Sequence, residues 1–167
     1  MVYSKQSCVT SKGLGLENDI SIGVLLQIAG RIMEAGLARV SEDIDLTTGQ
    51  LAVLGMVCRY PELPQSEYGR ILCINEATLG RYASRLETTG HITRSRNDPD
   101  GRIIRLSPTD EGKALFKLLG ERLQTFSEAY RAASPDGNVE RLHKEVSQFL
   151  KAQGWALPDK ARAGPTG

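Results

Sequence analysis

His91-Ile-Thr-Arg-Ser-Arg-Asn-Asp-Pro-Asp-Gly-Arg-Ile-Ile-Arg-Leu-Ser-Pro-Thr-Asp-Glu-Gly112 carries four arginines around a tight Asn-Asp-Pro-Asp-Gly turn and runs straight into a helix start. Two β-prone arms, Ile92–Arg96 and Arg102–Leu106, flank residues that favour chain reversal, so the stretch reads as a hairpin. Guanidiniums at such a tip offer little to a core. They offer much to a phosphate backbone or a narrow minor groove. Nucleic acid is therefore the first partner to weigh.

Upstream of the hairpin, Thr47 to Gln50 has the form of a capping box ahead of Leu51, Val53, Leu54 and Val57, which predicts a helix to about Arg59. Tyr60-Pro61-Glu62-Leu63-Pro64 breaks it, and a short helix follows from Gln65 to about Cys73. Asn75 is a good N-cap for a fourth helix, Glu76 to Thr89, which stops at Gly90. Thr109 caps a long fifth helix with Asp110 and Glu111 in its first turn. Ile20, Val24, Ile28 and Ile32 mark a first helix, and Leu142, Val146, Phe149 and Leu150 a last one. This order predicts a mostly α (α+β) fold: a winged helix-turn-helix lobe with a two-stranded wing, embedded between helices at both chain ends.

Global charge is uninformative, since 21 Lys and Arg balance 20 Asp and Glu. Local charge is not. Six arginines (81, 85, 94, 96, 102, 105) meet three acids (Glu87, Asp98, Asp100) between Arg81 and Arg105, whereas residues 1–62 hold seven acids and five bases. No run approaches the ~20 apolar residues of a membrane span and the N-terminus lacks the apolar core of a secretory signal, so the expectation is a cytoplasmic protein with no membrane partner. Three widely spaced cysteines suit a reducing compartment and show no metal-ligand spacing.

The run Asp100-Gly-Arg102-Ile-Ile-Arg-Leu106-Ser-Pro-Thr109-Asp-Glu-Gly112 resembles the wing and following helix start of the MarR family of bacterial transcription regulators, whose pattern is Asp-x-Arg, a strand ending in Leu, then Thr-x-x-Gly. Leu46-Thr47-x-x-Gln50, Gln65-Ser66-Glu67 and Leu86-Glu87-x-x-Gly90-x-Ile92 extend the resemblance over residues 46–112. Two departures stand out: Pro64 replaces a common Thr N-cap, and Pro108 a usual aliphatic residue. The resemblance implies a homodimer whose fourth helix enters the major groove and whose wing arginine reaches the adjacent minor groove of a palindromic double-stranded DNA operator.

On that basis the DNA-binding set is Ser66, Asn75, Ala77, Thr78, Arg81, Tyr82, Arg85, Arg94, Arg96, Asp100 and Arg102, with Arg81 placed to read a guanine and Arg102 to enter the minor groove. Asp100 and Arg102 pair with one another across the turn, or Asp100 orients an arginine aimed at DNA; the resemblance implies the second. Leu123, Leu142, Val146 and Phe149 belong to dimerisation helices, residues 17–45 and 113–153, around the DNA-binding lobe at 46–112. Residues 1–16 and 154–167 read as a loosely ordered N-terminus and a flexible tail.

Family likeness further implies a cleft for a small-molecule effector of the aromatic-acid kind, with Arg31, Met56 and Tyr60 on the helices flanking it. No nucleophile-base pair, metal cluster or phosphate-cradling Gly loop is present, so neither an enzyme nor a bound cofactor is expected. The expected function is a regulator, a repressor by type, released from its operator by the effector. One alternative is a thiol-based redox regulator through Cys8, with Cys58 and Cys73 read as inert buried side chains; another is a protein-interaction module that kept the fold without DNA binding.

Overall fold

Helix starts in this chain are set by single side chains. A computed structural model describes residues 20–96, 102–132 and 138–158. Its elements are α1 (Ile22–Val40), α2 (Thr48–Arg59), α3 (Gln65–Leu72), α4 (Glu76–Thr88), β1 (Ile92–Ser95), β2 (Arg105–Pro108), α5 (Asp110–Ala132) and α6 (Asn138–Ala152). The fold is mostly helical with one antiparallel two-stranded sheet, in the expected order. At α2 the Thr47 hydroxyl accepts from the Gln50 N–H at 3.3 Å while the Gln50 side chain accepts from the Thr47 N–H at 2.8 Å, completing the capping box. Asn75 Oδ1 accepts from the Thr78 N–H at 2.8 Å to start α4, and Thr109 Oγ1 from the Gly112 N–H at 3.0 Å to start α5. Pro64 starts α3 without a side-chain bond, its ring supplying the dihedral instead. Gly90, at φ +76°, ends the α4 turn in the left-handed region that favours glycine.

The chain divides into two compact units, residues 1–36 and 37–167. Within the second, Val53, Leu54, Val57, Tyr68, Leu79, Leu86, Ile92 and Leu106 are fully buried around one core drawn from α2, α3, α4 and both strands. Each such side chain contributes roughly 1.5–3 kcal/mol by leaving water. The first part of α5 joins them through Leu115, and Arg122 reaches back with a bidentate pair to Asp43 at 2.5 and 2.8 Å. That guanidinium holds the Asp43 carboxyl below its ordinary range. In the first unit, by contrast, Ile22, Val24, Leu25, Ile28, Ile32 and Met33 of α1 are all exposed. Among the described residues no helix is long and apolar enough to cross a membrane.

The wing differs from the expected hairpin. Ile92 pairs with Pro108 and Ser95 with Arg105, so β2 begins three residues later than expected and Arg102–Ile104 lie outside the sheet. The displacement has a visible cause. The loop before α3 holds this strand from its other side: Glu62 N–H donates to Leu106 O at 2.9 Å, Gln65 N–H to Ile104 O at 2.7 Å, and Pro64 bridges Arg105. Pro108 is tolerated because it ends β2, where little ladder bonding is lost. The termini expected to be loose, residues 1–16 and 159–167, and Asp100 lie outside the described residues. Of the expected flexible tail, Trp155 is instead packed against the core.

Candidate nucleic-acid interface

Helix α4 has two faces because Leu79, Ala83 and Leu86 are completely buried. Helical spacing then turns Ala77, Arg81, Ser84 and Thr88 outward, and all four are exposed. The turn joining α3 to α4 is short: Cys73 takes a left-handed conformation (φ +54°), Ile74 follows, and Asn75 caps the next helix. Asn75 therefore spends its side-chain oxygen on the cap, leaving its amide NH2 outward. Thr78 is half-buried in the first turn, and Ser66 is exposed in the first turn of α3.

The arginines separate into committed and available sets. Arg94 shares a strand face with Ile92, two residues away and buried, so its side chain is carried over α4. There it donates to Ser84 Oγ at 2.8 Å and Gly80 O at 3.2 Å, with its Nε 3.3 Å from the Glu87 carboxylate, an ion-pair contact without hydrogen-bond alignment. Arg94, expected at a phosphate, thus braces the wing to α4 in this structure. Arg85 pairs with Asp45 in the α1–α2 loop, and Arg105 donates to Glu62 O at 2.8 Å. Arg81, Arg96 and Arg102 are exposed and have no hydrogen-bond or ion-pair partner among the described residues. Because Arg94 ties β1 to Gly80 and Ser84, the wing root lies beside the face of α4 that carries Arg81.

Tyr82 is also reassigned. A Cβ on Gly49 would stand 2.7–2.8 Å from the ring and hydroxyl of Tyr82, so the tyrosine lies flat on the first turn of α2 and packs on the core. It helps to position α4 while remaining partly exposed. Sequence patterning carried no sign of this, since Gly49 reads only as part of a cap.

Residues 46–104 match the MarR family model. Over that segment the chain is similar to the MarR family, and its fold there is a winged helix. Relatives include an uncharacterized HTH-type transcriptional regulator of Bacillus subtilis, 30% identical over 78 residues, which are 47% of this chain and 52% of the relative. The chain thus spans about half the length of that relative. A HTH-type transcriptional repressor of Mycobacterium tuberculosis is 25% identical over 104 residues, 62% of this chain and 75% of that protein. These relatives are named as transcription regulators, none as an enzyme. Among solved structures, the crystal structure of MarR covers 82% of this chain and 93% of its own at a TM-score of 0.73 and 23% identity. The fold also matches Streptococcus pneumoniae FabT in complex with DNA (TM-score 0.64, 16% identity, 79% of this chain and 94% of that one). It matches CouR from Rhodococcus jostii bound to p-coumaroyl-CoA as well (TM-score 0.68, 18% identity, 77% and 91%).

A groove of about 790 Å³ lies between α2 and α5, lined by Leu51, Met56, Arg59, Phe116, Leu119 and Leu123 among others. Met56 was expected there; Leu123, expected at a dimer contact, also lines it. Arg59 lies 5.7 Å from the centroid of the Phe116 ring and is the cation that sequence reading passed over. Tyr60 is in the core instead, 6% exposed, with its carbonyl accepting from the Tyr68 hydroxyl at 2.6 Å. Arg31 is exposed on α1, in the other unit.

The cysteines divide. Burial pushes the Cys58 thiol up to about 11. Cys73, expected to be buried, is exposed because the left-handed turn at the end of α3 rotates it outward. Cys8 lies outside the described residues. No group of three or more His, Cys, Asp or Glu that could hold a metal occurs among the described residues.

Proposed function

We propose that the protein is a homodimeric, sequence-specific DNA-binding transcriptional regulator, a repressor, that holds a palindromic operator until a small aromatic ligand fills the groove between α2 and α5. The observation that carries this is the set of guanidiniums with no partner among the described residues: Arg81 outward on α4, Arg96 just after β1, and Arg102 ahead of β2. Every other role for them is less economical, because the same stretch commits Arg85, Arg94 and Arg105 to protein partners. Arg81 then reads a base edge, Arg102 enters the minor groove, and Ser66, Asn75, Thr78 and Arg96 meet backbone phosphates around them. Ala77 leaves room for close approach.

Support for a two-fold dimer comes from apolar surface. Leu142 and Phe149 of α6 are 52% and 49% exposed, Leu118 of α5 is exposed, and Val146 is only half-buried. A second copy would cover them. The groove supports the effector: Leu51, Met56, Phe116 and Leu119 supply apolar walls, and Arg59 and Lys117 set two cations against the one carboxylate of Glu128, a lining suited to an aromatic acid. Binding there would release DNA only if the groove is better shaped for the ligand in a conformer with misplaced recognition helices.

The test is selection of bound duplexes from a random pool, followed by a salt series on the selected site. A palindrome is expected, with log affinity falling by about 0.9 per neutralised phosphate for each tenfold rise in salt. Arg81→Ala should cost about 1–3 kcal/mol and relax preference at one base position, whereas Arg102→Ala should weaken binding and flatten the salt slope by about one. A flat salt response would mark a protein-interaction module instead.

A further inference from the structure

The geometry points to Trp155 as a strut that ties the C-terminal helix to the helix-turn-helix, so that α6 helps to set the position of the recognition helix. The chain beyond α6 is built to deliver this residue. Gly154 takes φ +79°, its N–H donates to Lys151 O at 2.9 Å, and the Trp155 N–H donates to Leu150 O at 3.0 Å. These two bonds are the 5→2 and 6→1 pair of a Schellman stop, in which only a residue tolerant of the left-handed region closes the helix and the next side chain is turned back across it. Trp155 emerges from that stop and packs against the buried core.

Its indole N–H then donates to Ile71 O at 2.8 Å. Ile71 lies in the last turn of α3, where carbonyls have no partner within the helix and need one from elsewhere. A second link sits beside it, Arg70 Nη1 to Ala156 O at 3.5 Å. Two residues after Ile71 the chain enters the left-handed turn at Cys73, and Asn75 then starts α4. The α3 carbonyl that the indole holds, the turn and the recognition-helix cap thus follow one another within five residues, Ile71 to Asn75. Trp155 is the sole tryptophan of the chain, and nothing in the DNA-reading face requires it. Its place makes it a positioning residue: a shift of α6, whose exposed Leu142 and Phe149 are offered to another surface, is passed to α3 and from there to the start of α4.

The affinity part of this inference rests on the DNA-binding reading; the structural part does not. The experiment compares the full chain with Trp155→Phe, which keeps a ring and loses the N–H, and with Trp155→Ala. Amide exchange is measured across all elements, and affinity for the selected duplex across a salt series. In Trp155→Phe, exchange at Cys73, Ile74 and Thr78 should rise about fivefold with α2 and the wing unchanged, the expected worth of one neutral hydrogen bond. Affinity should fall by a similar factor with the salt slope unaltered, because no phosphate contact is lost. Trp155→Ala should move both further in the same direction. Exchange unchanged in both variants would overturn the strut, as would a rise spread evenly over all elements, or faster exchange with affinity untouched. If the wild-type chain bound no duplex, the DNA reading alone would fall and the exchange measurement would still decide the strut.

Discussion

Gly112 shows how one residue can hold a junction. A Cβ there would lie 2.0 Å from His91 O, inside any tolerable contact, while the Gly112 N–H is already bound by Thr109 and the Thr109 hydroxyl donates to Gly90 O at 2.6 Å. Gly112→Ala must therefore push α5 away from the end of α4, and we expect it to cost about 3 kcal/mol in chemical denaturation. A cost below ~1 kcal/mol would mean that the junction is soft. The two described thiols make a second pair at this scale. At neutral pH, with Cys8→Ser as background, Cys73 should be alkylated readily and Cys58 only on unfolding, since its thiol, raised to about 11 by burial, holds almost no thiolate. Equal rates in the native protein would contradict the burial of Cys58.

Among elements, the wing is where function and stability are divided between neighbours. Arg94→Ala removes bonds to Gly80 and Ser84 and should destabilise the protein by about 1–2 kcal/mol in urea titration. Arg96→Ala should leave the melting midpoint in place and reduce the salt slope of DNA binding. The reverse pattern would exchange their roles. Much at this scale was legible in advance, because caps are short-range signals: Thr47 with Gln50, Asn75 and Thr109 each start the helix expected of them. The register of β2 was not. It depends on the loop at Glu62 to Gln65, distant in sequence and closed onto Ile104 and Leu106 by backbone bonds that leave no side-chain pattern. Tyr82 against Gly49 escaped for the same reason, being a fit between two helices. Arg94 did carry a clue, the two-residue spacing from an apolar Ile92.

On the scale of the whole molecule, the apolar faces of α5 and α6 are the strongest remaining statement. Leu142→Glu combined with Phe149→Glu should yield a monomer in sedimentation at micromolar concentration while the buried lobe around Leu54 and Leu79 stays folded. A persistent dimer would place the interface elsewhere. Helix α5, 23 residues and so about 35 Å long, leaves the winged-helix lobe where Gly112 meets His91 and stays fastened as far as Arg122, which grips Asp43 and the Val40 carbonyl. Mechanically that grip is a pivot, and the ten residues beyond it are a lever of about 15 Å. A tilt of about 5° there scarcely moves the wing, yet it sweeps the far end of α5 by about 1 Å, as follows from that length. In a two-fold assembly such a sweep would be spent on the separation of the two lobes, so the spacing between half-sites would be a more sensitive quantity than the reading of either one.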